Sequence, residues 1–219
     1  MTVQRVDLPV LGYRSEPLRH VYLQHPVPVT ALGLLLPGLS YGLSRPGLLY
    51  ASRTLTDLGF DTFGLDTSYH TPEFQALPDD MTRPWLTQDV EAAFQAAWQA
   101  RSYTRLCLVA KSLGTLSLHF LLASGQVPED AQLVWLTPVL NRPEVLEQIL
   151  QRPSQSLVVI GTEDPHFQEE RITHLLAAGV EVLVLTHADH ALDVPGDTVA
   201  SLAHLHRIMQ RLRAFVTQG

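Results

Sequence analysis

The string richest in chemistry is Ala110-Lys-Ser112-Leu-Gly114, set between two apolar runs, Leu106–Ala110 and Leu113–Leu122. A small residue, a serine and a glycine at alternate positions, between a buried strand and a helix, form a nucleophile elbow; here Ala110 stands where the first glycine usually does. The turn is tight and strained at the serine, so the residues two positions to either side must be nearly free of side chain. The serine oxygen then projects from the C-terminal end of the strand. The next amide, on Leu113, faces a developing oxyanion. The pair Lys111-Ser112 also invites comparison with a phosphate-binding loop, but that loop needs glycines before its lysine. Arg105–Ala110 reads as strand, and the phosphate-loop reading is rejected.

A serine hydroxyl is a weak nucleophile until a base takes its proton, and the base in turn needs an orienting group. Two later apolar runs end in such residues. Leu157–Ile160 leads into Gly161-Thr-Glu-Asp164-Pro, and Glu181–Leu185 into Thr186-His-Ala-Asp-His190. Ser112, Asp164 and His190 therefore each follow a separate strand, in the order serine, carboxylate, histidine, at the sheet edge where open α/β sheets bind ligands. His187 is nearer its strand and reads as a turn residue. Asp189 and Glu163 adjoin His190 and Asp164, and neighbours in an extended loop point their side chains apart, so both read as solvated turn carboxylates. His20, His25, His119, His174, His204 and His206 are scattered, with no metal-ligand spacing; His204 and His206, two apart on a helix, face different ways. No metal is expected. The lone cysteine, Cys107, lies within an apolar strand and reads as core; it excludes an internal disulfide and any multi-cysteine metal site. Lys111 is expected to point away from the oxyanion.

These residues need a scaffold, and the alternation of patterns supplies one. Short continuous apolar runs recur at Ala31–Leu36, Leu106–Ala110, Leu133–Leu136, Leu157–Ile160 and Val180–Leu185, with Asp61–Leu65 as a weaker sixth. Such runs are parallel strands buried on both faces. Helical stripes lie between them: Leu86, Val90, Phe94, Ala97 and Trp98 on one, and Leu202, Leu205, Met209, Leu212 and Val216 on another. Leu113–Leu122 is apolar nearly all round, as a helix buried on a sheet is. Pro143 followed by Glu144 suits a first helical turn. Val3–Val10 and Pro17–His25 read as two strands of an antiparallel edge hairpin. The pattern is α/β, with helices on both faces of a mostly parallel sheet. No repeat or low-complexity tract divides the chain, so residues 1–219 are read as a single domain.

Over essentially its full length the chain resembles the α/β-hydrolase superfamily. It is most similar to small members without a cap domain: dienelactone-hydrolase-like enzymes, and the branch with testis-expressed protein 30 and a scaffold subunit of a histone acetyltransferase complex. The matching strings are Lys111-Ser-Leu-Gly-Thr115, Gly161-x-x-Asp164 and Asp189-His-x-Leu-x-Val-Pro-Gly196. The resemblance implies about seven to eight strands and no cap, with Ser112 as nucleophile, Asp164 as acid and His190 as base. The loop Leu36-Pro-Gly-Leu-Ser-Tyr-Gly42 is similar to the family's His-Gly-x-Gly loop, with Pro37 in place of histidine. Its Leu39 amide is the candidate second oxyanion donor beside that of Leu113. The long segment Asp66–Pro84 corresponds to a loop that rims the pocket in the family, which makes Tyr69 a candidate pocket residue. The implied activity is hydrolysis of a small carboxylic ester or related acyl substrate through an acyl-enzyme, without a cofactor. The alternative is an interaction module that keeps the fold without turnover, as a scaffold subunit does.

Composition excludes other classes. The chain is 46% hydrophobic and 17% charged, the reverse of a disordered chain. A formal net charge of −7, with a single lysine among 15 basic residues, leaves no basic patch for nucleic acid. The longest apolar stretch, Ala31–Leu39, is broken by Pro37 and too short to span a bilayer, and Met1–Asp7 lacks the apolar core of a secretory signal. A cytoplasmic location and a small-molecule partner are expected. The oligomeric state is left open, a homodimer included.

Overall fold

The computed structural model describes residues 3–218; Met1, Thr2 and Gly219 of the expected 1–219 domain lie outside the described residues. Eight strands form one sheet: β1 (Gln4–Val6), β2 (His20–Gln24), β3 (Ala31–Leu36), β4 (Asp61–Leu65), β5 (Arg105–Lys111), β6 (Gln132–Leu136), β7 (Ser156–Gly161) and β8 (Glu181–Leu185). Their spatial order is β1-β2-β4-β3-β5-β6-β7-β8. β3 to β8 run parallel, while β2 is antiparallel to β4 and β1 antiparallel to β2. The six apolar runs are the six parallel strands. The expected hairpin forms at the edge, but only Gln4–Val6 of its first arm joins the ladder. Pro9 has no amide to donate to a ladder, and a 3-10 turn at Tyr13–Ser15 carries the chain round.

Helices cover both faces. α1 (Pro46–Asp57) and α7 (Thr198–Gln218) pack one face through Leu48, Leu55, Ile208 and Leu212. α3 (Asp79–Gln99), α4 (Leu113–Ala123), α5 (Pro143–Gln151) and α6 (Glu169–Ala177) cover the other through Leu86, Val90, Leu118, Val145, Ile149 and Leu175. Pro143 occupies the first turn of α5, as expected, where its missing amide costs nothing. Between β6 and β7 there is α5 and one 3-10 turn, Pro153–Gln155, and no cap.

Two helices depart from the sequence reading. The segment Asp66–Pro84 is not one loop: it holds the short α2 (Pro72–Gln75) and the start of α3, which accommodates Pro84 within its length. The α7 stripe is buried only from Ile208 onward. Leu202 is 59% exposed and Leu205 only half-buried, because the first turns of α7 meet α1 and the loop after β8 across open spaces rather than a packed layer.

Asp61 explains why its strand reads weakly. It opens β4 as a fully buried carboxylate, accepting from the His25 amide at 2.7 Å, Arg101 Nη1 at 3.0 Å and the Tyr103 hydroxyl at 2.7 Å. A buried charge is tolerable only when paired and hydrogen-bonded. This network pins the C-terminal end of β2, the N-terminal end of β4 and the turn into β5, at the sheet edge opposite the candidate site.

Candidate active site

β5 ends at Lys111, and Ser112 turns the chain into α4 with φ +53° and ψ −116°. A non-glycine residue at positive φ stores strain that the surroundings must hold. They do so from both sides: the Ser112 amide donates to the Leu136 carbonyl at 3.0 Å, and the Ser112 carbonyl accepts from the Thr115 amide at 2.8 Å and hydroxyl at 2.6 Å. A Cβ on Gly114 would sit 2.5 Å from the Leu36 carbonyl oxygen and 2.7 Å from that of Pro37, so glycine is required there by the close approach of the β3 loop. Ala110 is fully buried in the α3–α5 layer of the core, which takes its methyl group. As the first residue of α4, Leu113 has an amide with no partner inside the helix.

Three strand ends bring the predicted residues together. His190 Nε2 lies 2.7 Å from Ser112 Oγ, and His190 Nδ1 lies 2.7 Å from Asp164 Oδ2. With Nδ1–H donating to the carboxylate, Nε2 is left to accept the serine proton. The second carboxylate oxygen, Oδ1, accepts from the His166 amide at 2.8 Å. Burial acts to raise the Asp164 pKa, but the hydrogen bonds from His190 and His166 outweigh it and hold the carboxyl below its ordinary range. Asp164 has a fully buried side chain, whereas that of His190 is 34% exposed, so the site opens to solvent.

The loops after β7 and β8 are tied to each other. A Cβ on Gly161 would meet the Ala188 carbonyl oxygen at 2.0 Å, and that same oxygen accepts from the Glu163 amide at 3.0 Å. His187 is an exposed turn residue at φ +61°, its amide on Thr162 Oγ1 at 2.8 Å and its Nδ1 3.7 Å from Glu163. Asp189 is spent on its own turn: its Oδ1 accepts from the amides of Ala191 at 2.8 Å and Asp193 at 3.1 Å. Neither Asp189 nor Glu163 is brought to the His190 ring.

Lys111 is where the structure adds most. Its side chain is buried, and its Nζ donates to Thr137 Oγ1 at 2.5 Å and to the His190 carbonyl at 2.7 Å, 4.8 Å from the centroid of the Tyr41 ring. Burial pushes its ammonium down to about 8, against the opposing pull of Asp164 and Asp189. Tyr41 is itself pushed up by burial, and its hydroxyl accepts from the Gly47 amide at 2.9 Å.

A cleft of about 480 Å³ opens at Ser112 and His190, walled by Leu39, Tyr41, Arg45, Lys111 and Ala191. Gly38 passes close to the serine, a Cβ there falling 3.3 Å from Ser112 Cβ, and this brings the Leu39 backbone to the cleft. Tyr69 is not among the residues lining it. It is 2% exposed, its hydroxyl donates to Asp89 at 3.0 Å, and its ring packs on Phe74, so it belongs to the core under α3. An aromatic with a buried hydroxyl goes where a partner waits, and Asp89 is that partner.

Sequence reasoning missed His166. Its ring stands edge-on to His190 with centroids 5.3 Å apart, and burial first of all lowers its pKa. Its position two residues past Asp164 was the available signal. Asp164, His166 and His190 have ligand atoms within 4.8 Å of one another, but Asp164 and His190 already bond each other there, so a cation would have to break that bond to enter.

No protein-family model and no curated protein matches the sequence. Solved structures do match. An α/β serine hydrolase without lid from Xanthomonas campestris aligns at TM-score 0.69 and 18% identity, over 100% of this chain and 96% of that one. Est1E from Butyrivibrio proteoclasticus, with ferulic acid bound, aligns at TM-score 0.71 and 13% identity, over 95% and 98%. A dienelactone hydrolase-like promiscuous phosphotriesterase from metagenomic libraries aligns at TM-score 0.64 and 15% identity, over 98% of each chain.

Proposed function

We propose, from the lid-less α/β-hydrolase fold that this chain adopts, that it is a serine hydrolase cleaving small carboxylic esters or related acyl substrates. The observation that carries the reading is the unbroken line Ser112 Oγ–His190–Asp164, with both links at 2.7 Å, at the floor of an open cleft. As the serine oxygen attacks the carbonyl carbon, His190 Nε2 takes its proton, and Asp164 stabilises the imidazolium without itself taking a proton. The Leu113 amide, and that of Leu39 across the cleft, receive the oxyanion of the tetrahedral intermediate. His190 returns the proton to the leaving oxygen as the carbonyl–oxygen bond breaks, leaving the acyl group on Ser112. Water, activated by the same histidine, then releases the acid. The tether from Lys111 to the His190 carbonyl holds the base over the serine through both halves of the cycle.

A non-catalytic interaction module would have no use for a strained serine, a carboxylate with both oxygens engaged and a histidine between them. The deciding experiment is reaction with a fluorophosphonate, which traps only an activated serine. Labelling at Ser112 and hydrolysis of short esters are expected, and Ser112→Ala is expected to lose both while melting at the same temperature. Unlabelled Ser112 in a folded chain, or turnover surviving in Ser112→Ala, sinks the proposal.

A further inference from the structure

Beside the cleft lies a second cavity, of about 190 Å³, with a mostly apolar wall that includes Pro46, Leu192, Leu202, Leu205 and Ile208. Tyr41, Pro46, Ala191 and Asp193 line both spaces, so the two adjoin along a shared wall. The cavity coincides with the departure noted for α7: Leu202 and Leu205 continue its apolar stripe but face this open space rather than a packed layer, and Val199 one turn away is 78% exposed. Apolar surface left uncovered next to a reactive centre marks a ligand site. We infer that this cavity is the subsite for the leaving alcohol of the ester, and that the alcohol is an apolar one of about four to six carbons.

The direction follows from the chemistry of His190, and the inference rests on the hydrolase reading above. The proton that Nε2 takes from Ser112 Oγ goes to the leaving oxygen, so that oxygen must lie beside the imidazole. The cavity begins at Ala191 and Leu192, the residues directly after His190. It is not lined by Leu39 or Leu113, whose amides face the carbonyl oxygen. Size follows from volume: at about 30 Å³ for each water-sized group, a cavity of about 190 Å³ holds about six groups the size of a methylene. The space suits a butyl to hexyl chain or a phenyl ring.

The test uses two series of esters followed by acid release: acetates of alcohols from ethanol to octanol, and ethyl esters of acids from acetic to octanoic. In the acetate series kcat/KM is expected to rise about three- to fourfold per methylene up to about hexyl, and then to level off. The acid series is expected to show no such climb. Leu205→Trp fills the cavity and should cut the hexyl-to-ethyl ratio in the acetate series at least tenfold. Leu202→Asp, a change at an exposed rim position that the fold tolerates, should lower the same ratio and serves where Leu205→Trp does not fold. A climb confined to the acid series, or a hexyl-to-ethyl ratio unmoved by both variants, overturns the assignment. So does a wild-type dimer in sedimentation velocity that Leu202→Asp dissociates without moving the ratio, since the patch is then an interface between copies. Failure of the hydrolase reading looks different: no ester in either series is turned over and Ser112 stays unlabelled.

Discussion

Two other carboxylates, Glu163 and Asp189, stand within one position of Asp164 or of His190. The structure separates them by what their oxygens already do. Asp164 gives one oxygen to the His190 ring and the other to the His166 amide, whereas Asp189 closes its own turn and Glu163 faces solvent near His187. Asp164→Asn is therefore expected to stay folded and lose about 10³- to 10⁴-fold in kcat, since the histidine loses its charge partner and its productive tautomer. Asp189→Asn and Glu163→Gln are expected to lose less than about tenfold, a difference of ~1.4 kcal/mol in barrier; steady-state kinetics on the three variants ranks them. Lys111 could not be read this way from sequence, where it was only a residue passing through an elbow. Its role depends on a carbonyl 79 positions away in the chain, and no local pattern encodes that. Its pKa of about 8 lies below the ordinary ~10.4. Between these values the unfolded chain binds more protons than the folded one, so this group makes stability rise with pH across that window. The hold on His190 moves the opposite way, weakening as the ammonium neutralises. Lys111→Met is expected to lower kcat about tenfold at neutral pH with KM little changed. It should also remove a decline in wild-type kcat as pH rises through about 8; kcat–pH profiles of the two proteins check both.

At the scale of elements, the strands were the most legible feature. A strand buried on both faces must be apolar along its interior, and β3 and the interiors of β5, β6 and β7 are. The elbow was equally legible, because strain at the serine and the crossing of the β3 loop leave glycine as the one residue that fits at position 114. The rim was not. Tyr69 shares its short loop with residues that do face the serine's side of the sheet, and only the buried Asp89 on α3 turns its ring inward. Periodicity likewise gives the phase of α7 but not how far along its length the neighbouring layer extends. The junction of the β7 and β8 loops carries its own prediction. Gly161 is crossed so closely by Ala188 that any side chain must push the loop bearing His190 outward. Gly161→Ala is expected to cost stability and to lower kcat about 100-fold, ~2.7 kcal/mol in barrier, by opening the His190–Ser112 contact. A melting curve and the rate of fluorophosphonate labelling report the two effects separately.

Across the whole molecule, the buried network that holds the sheet and the candidate site sit at opposite ends of the parallel strands. The Asp61–Arg101–Tyr103 network closes the N-terminal end, and the candidate site closes the C-terminal end. Asp61→Ala leaves Arg101, whose side chain is only 17% exposed, without its counter-charge, and is expected to cost about 3 kcal/mol of stability, read from urea denaturation, with kcat per folded molecule unchanged. The distribution of cations separates the two ends in another way. Every basic side chain on the surface is arginine or histidine, because the one lysine among the 219 residues is the buried Lys111. Reagents that acylate primary amines, or glutaraldehyde used to fix protein to a support, therefore find no ε-amino group on the intact fold. Modification at Lys111 happens only in molecules that have opened, so a mass shift on that one peptide counts the unfolded fraction, and amine-coupling chemistry leaves every side chain of the folded protein without an acylated ε-amino group.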